Sequence, residues 1–141
     1  MRKVTRIRAA GPDHQVVTAE GGQGGYRRKP CPGCPWRIEN DGSFPAEAFR
    51  HSAETAYDMT THVFACHESG IERPHTCAGF LLRGADHNLA VRLGLRSGRF
   101  GSDVREDGAV LHADYRAMAI ANGVPADDPV LAPCRESRAG R

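Results

Sequence analysis

Apolar positions along the chain change their period several times, and each change marks an element. From about Pro45 to Asp58, Phe49, Ala53, Ala56 and Tyr57 recur at the spacing of one helix face, and Pro45 suits the first turn. His62 to Cys66 reads as a short strand running into a turn at Ser69-Gly70, with Pro74 interrupting the loop beyond. A second helical stretch starts near Cys77 and takes in Phe80, Leu81 and Leu82 up to Gly84. A third runs from Asp86, as N-cap, through Leu89, Val91, Leu93 and Leu95 to Gly98. A fourth runs from about Leu111 to Asn122, with Tyr115, Met118 and Ala119 as its apolar face and Gly123 and Pro125 as its stop.

The first thirty residues follow no such pattern. Val4 to Ile7 and Gln15 to Thr18 are short strand candidates, separated from the body by the spacer Gly21-Gly22-Gln23-Gly24-Gly25. Pro30, Pro32 and Pro35 remove backbone donors and fix φ, so Pro30 to Trp36 is a tight loop, neither helix nor central strand. The pattern predicts a flexible basic arm over residues 1–29, one domain over 30–125 and a tail over 126–141. The domain class is α+β: helix-rich, with a short strand or hairpin, and stapled by a four-cysteine metal site.

Composition explains why a staple is expected. The chain has 141 residues, 40% hydrophobic but only 6% aromatic, with 16 Gly and 9 Pro, enough for a modest core broken by many turns. Small cores are often completed by a metal. The net charge of +2 hides an asymmetry: seven basic residues against Asp13 and Glu20 give residues 1–30 a charge of +5, leaving −3 on the rest. That arm is compatible with phosphate contacts, which makes nucleic acid the candidate partner, although a solvated tail has the same composition. No segment reaches the roughly 18–20 apolar residues that span a bilayer. Charged residues at the N-terminus without an apolar stretch after them point to a cytoplasmic protein, where five cysteines indicate metal or redox chemistry before disulfides.

Cys31 and Cys34 form a C-x2-C pair on the tight loop, where two thiolates three residues apart grip adjacent corners of one ion. Cys66, at a strand end, and Cys77, at a helix start, complete a set of four. Four thiolates close a tetrahedron and leave no open position, which marks a structural site rather than a hydrolytic one. Zinc is the expected metal. A 4Fe-4S cluster is the alternative, because clusters tolerate irregular spacing and often have Pro beside a ligand, as Pro32 and Pro35 are here. Pro35 also removes an amide that a zinc knuckle would aim at sulfur.

Neighbouring residues extend the choice. His67 follows Cys66 and His75 precedes Cys77 by two, so either could replace a cysteine or hydrogen-bond to a ligand sulfur, although a solvated loop histidine is the commoner case. Cys134 reads as a thiol in the tail and not a fifth ligand. Trp36, the sole Trp, is expected to pack over the loop and shield it, in preference to stacking on a base. A dithiol oxidoreductase, with Cys31 as nucleophile and Cys34 resolving, needs a strand before the pair and a helix starting at it; the flanking Gly and Pro oppose that. The zinc-deaminase signature lacks its upstream H-x-E, since only His14-Gln15-Val16 is found.

The run Cys31-Pro32-Gly33-Cys34-Pro35-Trp36-Arg37, then Phe44-Pro45, Phe64-Ala65-Cys66-His67 and Cys77-Ala78-Gly79-Phe80 resembles an uncharacterised family of small cysteine-containing proteins of actinobacteria and their phages. The resemblance covers about residues 30–95. It implies a grouped role for Cys31, Cys34, Cys66 and Cys77 and carries no activity. The expected function is therefore a non-enzymatic metal-binding accessory or regulatory module. An iron–sulfur protein for redox sensing or electron transfer and a CxxC thiol oxidoreductase are the alternatives.

Overall fold

The structure is a computed structural model that describes residues 3–11, 14–20, 25–66 and 75–134, the first two stretches by the course of their backbone. Three strands form an antiparallel sheet in the order β1 (Lys3–Gly11), β2 (His14–Glu20), β3 (His62–Phe64). Thr18 of β2 lies opposite Phe64 and Glu20 opposite His62. The two strand candidates in the arm are thus longer than their sequence pattern and pair as a hairpin. The glycine spacer before Gly25 falls outside the described residues.

Helix α1 (Ala46–Ser52) begins after Pro45 and buries Phe49 and Ser52. The chain then tightens into a 3-10 turn over Ala53–Ala56 instead of continuing as one helix to Asp58. Ala53, Thr55 and Ala56 are small enough to let that turn sink into the core, where each is at most 4% exposed. Tyr57 leaves in extended conformation and donates to Val130 O at 2.8 Å.

Helix α2 (Leu89–Ser97) is capped by Asn88, not by Asp86. Asn88 Oδ1 accepts from Val91 N at 3.1 Å while Nδ2 donates to His62 O at 2.7 Å, so one buried side chain caps the helix and fastens it to β3. Helix α3 (Tyr115–Ala121) starts later than the apolar run beginning at Leu111. Leu111 instead bridges to Arg37 in extended backbone, and Asp114 provides the cap through Ala117 N at 2.8 Å.

The segment read as a tail joins the body. Pro129–Leu131 make a 3-10 turn, Leu131 is fully buried, and Arg50 Nε meets Asp128 Oδ2 at 3.0 Å. At the other end, Arg28 pairs with Asp103 at 2.9 Å, and Tyr26 OH donates to the same carboxylate at 2.6 Å. The described end of the basic arm is therefore fastened to the acidic segment after α2.

Between these elements lies an aromatic core. Trp36 meets Phe64 at 5.9 Å and Tyr115 at 6.0 Å, both edge to face, and Phe64 stacks near Phe80 at 6.2 Å. Trp36 is 0% exposed, as expected of a packing residue, and no ring face is left for a base. Cys34, Cys66 and Cys77 belong to this same buried cluster, so the cysteine loops sit directly on the core. Among the described residues no helix is long and apolar enough to cross a membrane.

Candidate metal centre

The prolines stiffen the Cys31–Cys34 loop, but hydrogen bonds give it its shape. Cys34 N donates to Cys31 O at 3.0 Å and closes a turn; Arg37 N donates to Cys34 O at 3.1 Å and closes the next. Arg37 then reaches back, with Nε on Cys31 O and Nη2 on Pro30 O, both at 2.9 Å. Asn40 Nδ2 bridges Pro32 O at 3.0 Å and Cys34 O at 2.9 Å. Two side chains from the turn that follows thus occupy the carbonyls of the cysteine loop. Neither was singled out as part of the site by sequence; only Arg37 stood in the motif at all.

Cys66 and Cys77 arrive on neighbouring antiparallel segments. Ala65 bridges to Thr76, Cys66 N donates to His75 O at 2.7 Å, and Cys77 N donates to Phe64 O at 2.9 Å. A third segment holds Thr76 from its other edge, since Thr76 N donates to Gly25 O at 3.0 Å and Arg27 N to Thr76 O at 2.9 Å. The two cysteine-bearing segments are therefore fixed by backbone bonds that no periodicity reveals.

All four sequence-predicted cysteines come together as contacting thiols. Cys34 Sγ lies 3.7 Å from Cys77 Sγ, and Cys66 Sγ lies 3.9 Å from Cys31 Sγ. The Cys31 and Cys34 side chains also interact, which links the two pairs. None of the five cysteines is in a disulfide. Among the described residues no group of three or more His, Cys, Asp or Glu side chains surrounds one point closely enough to hold an ion as it stands. The arrangement is two close pairs joined through the C-x2-C loop, not a closed coordination shell.

The Cys34 thiol is pulled down by its hydrogen bond with Cys31, but the contact with Cys77 and burial outweigh this and raise it above the ordinary thiol range. The Trp36 backbone N–H also donates to Cys34 sulfur and favours the thiolate. The amide removed by Pro35 is thus replaced by the next one along. Cys31 is half-buried, whereas Cys34, Cys66 and Cys77 are at most 4% exposed.

The histidines are less informative. His75 rests on the backbone of Gly25, where a Cβ would stand 2.7 Å from Nε2, and His67 lies outside the described residues. Cys134 is buried, with its sulfur facing the carbonyls of Ala53 at 3.8 Å and Val130 at 3.9 Å, and burial raises its pKa to about 11. It is a core residue. Near the quartet, Trp36 Nε1 and Thr76 Oγ1 are buried without a hydrogen-bond partner.

A family of unknown function, DUF6283, has a model that matches residues 26–135, most of the chain, and the chain belongs to that family. The match begins beyond the β1–β2 hairpin and takes in the packed segment through Cys134. No curated protein and no solved structure matches the chain.

Proposed function

We propose that this DUF6283 member is a non-enzymatic binding module whose body is stapled by one zinc ion held by Cys31, Cys34, Cys66 and Cys77. The observation that carries the reading is the pair of sulfur separations, 3.7 and 3.9 Å. Four thiolates at zinc's usual bond length of about 2.3 Å stand about 3.8 Å apart along the edges of a tetrahedron. Two edges are thus already at the length a single ion requires. A four-iron cluster sits as a cage between its cysteines and holds them farther apart, so the spacing favours zinc over that alternative. Drawing Cys31 and Cys66 toward Cys34 and Cys77 would close the shell, and four thiolates leave no position for a substrate.

The dithiol oxidoreductase reading has little support in this geometry. A resolving cysteine must reach the thiolate state readily, and Cys34 is fully buried with its pKa raised. For a nucleic-acid partner the described residues offer exposed cations at Arg92, Arg96 and Arg99, on and just after α2. Arg28 and Lys29 are engaged by Asp103 and Asp107, and Trp36 is enclosed. Such a contact would fall to Arg92, Arg96 and Arg99 or to the basic residues before Gly25.

Anaerobic purification followed by elemental analysis and an absorption spectrum tests the reading. One zinc per chain, with no visible colour and loss of structure on chelation, is the expected result. Iron and sulfide in the protein, or a chelator-treated chain that stays folded and cooperative, would overturn it.

A further inference from the structure

We propose that the quartet is a hydroperoxide-responsive site that closes as two crossed disulfides, Cys31–Cys66 and Cys34–Cys77, and expels its ion as it closes. The expulsion rests on the metal reading above; the pairing does not.

Cys31 also touches Cys34, so the pairing follows from which partition of the touching sulfurs leaves none over. Cys31 contacts Cys66 at 3.9 Å and Cys34 contacts Cys77 at 3.7 Å, so each thiol of the loop has a partner on the Phe64–Cys66 or His75–Cys77 segment. The obvious product from the C-x2-C motif would be a Cys31–Cys34 bond within the loop. That bond would leave Cys66 and Cys77 to pair with each other. Because Ala65 faces Thr76, Cys66 lies opposite His75 and Cys77 opposite Phe64. The two therefore share one face at diagonal positions, which are about 7–8 Å apart in an antiparallel pair. Crossed pairing joins all four sulfurs from existing contacts; in-loop pairing does not.

Exposure sets the order. Cys31 alone is half-buried, and the other three lie within the core. The Cys31 thiolate attacks the terminal oxygen of a hydroperoxide; the S–O bond forms, the O–O bond breaks, and hydrogen peroxide leaves one water after protonation. Cys66 sulfur then attacks the resulting sulfenic acid, so the S–S bond forms and the S–O oxygen leaves as a second water. Two thiols have lost two electrons and one peroxide has been reduced. A bound ion would thereby lose two of its four ligands, and a second peroxide that reaches the buried pair after this opening would oxidise Cys34 and Cys77 with the same balance.

Both bonds tie the Pro30–Cys34 loop to the segments that the ion ties it to. The oxidised chain therefore keeps its fold without metal, whereas the reduced, ion-free chain loses it.

The test is graded hydrogen peroxide on the zinc-loaded full chain. Zinc is measured at the outset and its release followed with a chromogenic chelator; remaining thiols are then blocked and the disulfides mapped by mass spectrometry without reduction. The expected record is Cys31–Cys66 after one molar equivalent, Cys34–Cys77 after two, zinc released in step, and retained near-ultraviolet circular dichroism. A Cys31–Cys34 bond, bonds between chains, or Cys31 driven to sulfinic acid with Cys66 untouched would each overturn the proposal. A chain that holds no zinc yet forms the crossed pairs fails the metal reading alone. Cys34→Ser adds a second readout: the Cys31–Cys66 bond still formed by one equivalent of peroxide supports the sequence, and a Cys31 sulfenic acid that persists and is trapped by dimedone contradicts it.

Discussion

Trp36 is seated by what its neighbours lack. A Cβ on Gly79 would stand 2.6 Å from Trp36 Cβ, and one on Gly84 would stand 2.5 Å from the far edge of the indole. Gly79 caps and Gly84 ends the π-helical segment Phe80–Gly84, whose wide i→i+5 turn leaves both glycines against the indole. A regular α-helical turn would rotate one of them away. Gly84→Ala should therefore cost about 1–3 kcal/mol by overpacking, read as a lower midpoint in urea unfolding. Of this arrangement, sequence showed only that Trp36 had a packing role. The glycines passed as punctuation, because a close approach is invisible until its partner is placed.

At the level of elements, the loop carrying Cys31 and Cys34 is held by the turn that follows it. Arg37 spans two of its carbonyls with the geometry of a guanidinium, which lysine cannot reproduce. On the zinc reading, Arg37→Ala should weaken the metal about 10–100-fold, the usual cost of losing an outer-shell partner, measured by competition with a chromogenic chelator. An unchanged affinity would show that the prolines, the turn bonds and Asn40 hold the loop without Arg37. Element types were legible from apolar spacing, and all four helical stretches exist. Their limits were less so. Asp86 and Asn88 are both good caps, but only Asn88 also reaches His62 O across to β3. Leu111 continued an apolar run, yet its backbone pairs with Arg37 before the helix begins. Each limit was decided by a partner distant in sequence.

For the whole molecule, the ends of the matched region are latched by carboxylates. The Val130 backbone N–H, then Arg50, holds the Asp128 carboxyl below its ordinary range, and the Tyr26 hydroxyl, then Arg28, does the same for Asp103. A depressed carboxyl contributes its stability above the ordinary value of about 3.9 and loses it as pH falls through the lowered one. Stability should accordingly drop on the acid side below about pH 4, and Asp128→Asn should flatten that drop while loosening residues 126–134, seen as faster hydrogen exchange at Leu131. Sequence placed the charge asymmetry correctly and could not show that Arg28 and Lys29 are spent on Asp103 and Asp107, since 75 and more residues separate the partners. Leu131 and Cys134 were hidden for a similar reason: three residues of 3-10 turn give no period to detect.

The sealed indole has an optical consequence. A sole tryptophan walled in by Phe64, Tyr115 and two glycines, and two residues from Cys34, makes the chain its own fluorescent gauge. Its emission belongs at the blue end of the tryptophan range, because the ring is shut off from water. Any event that opens the floor beneath the sulfurs must let water in and move that colour to the red. On the zinc reading, loss of the ion can thus be watched without a label, on the untouched protein, by the glow of one residue.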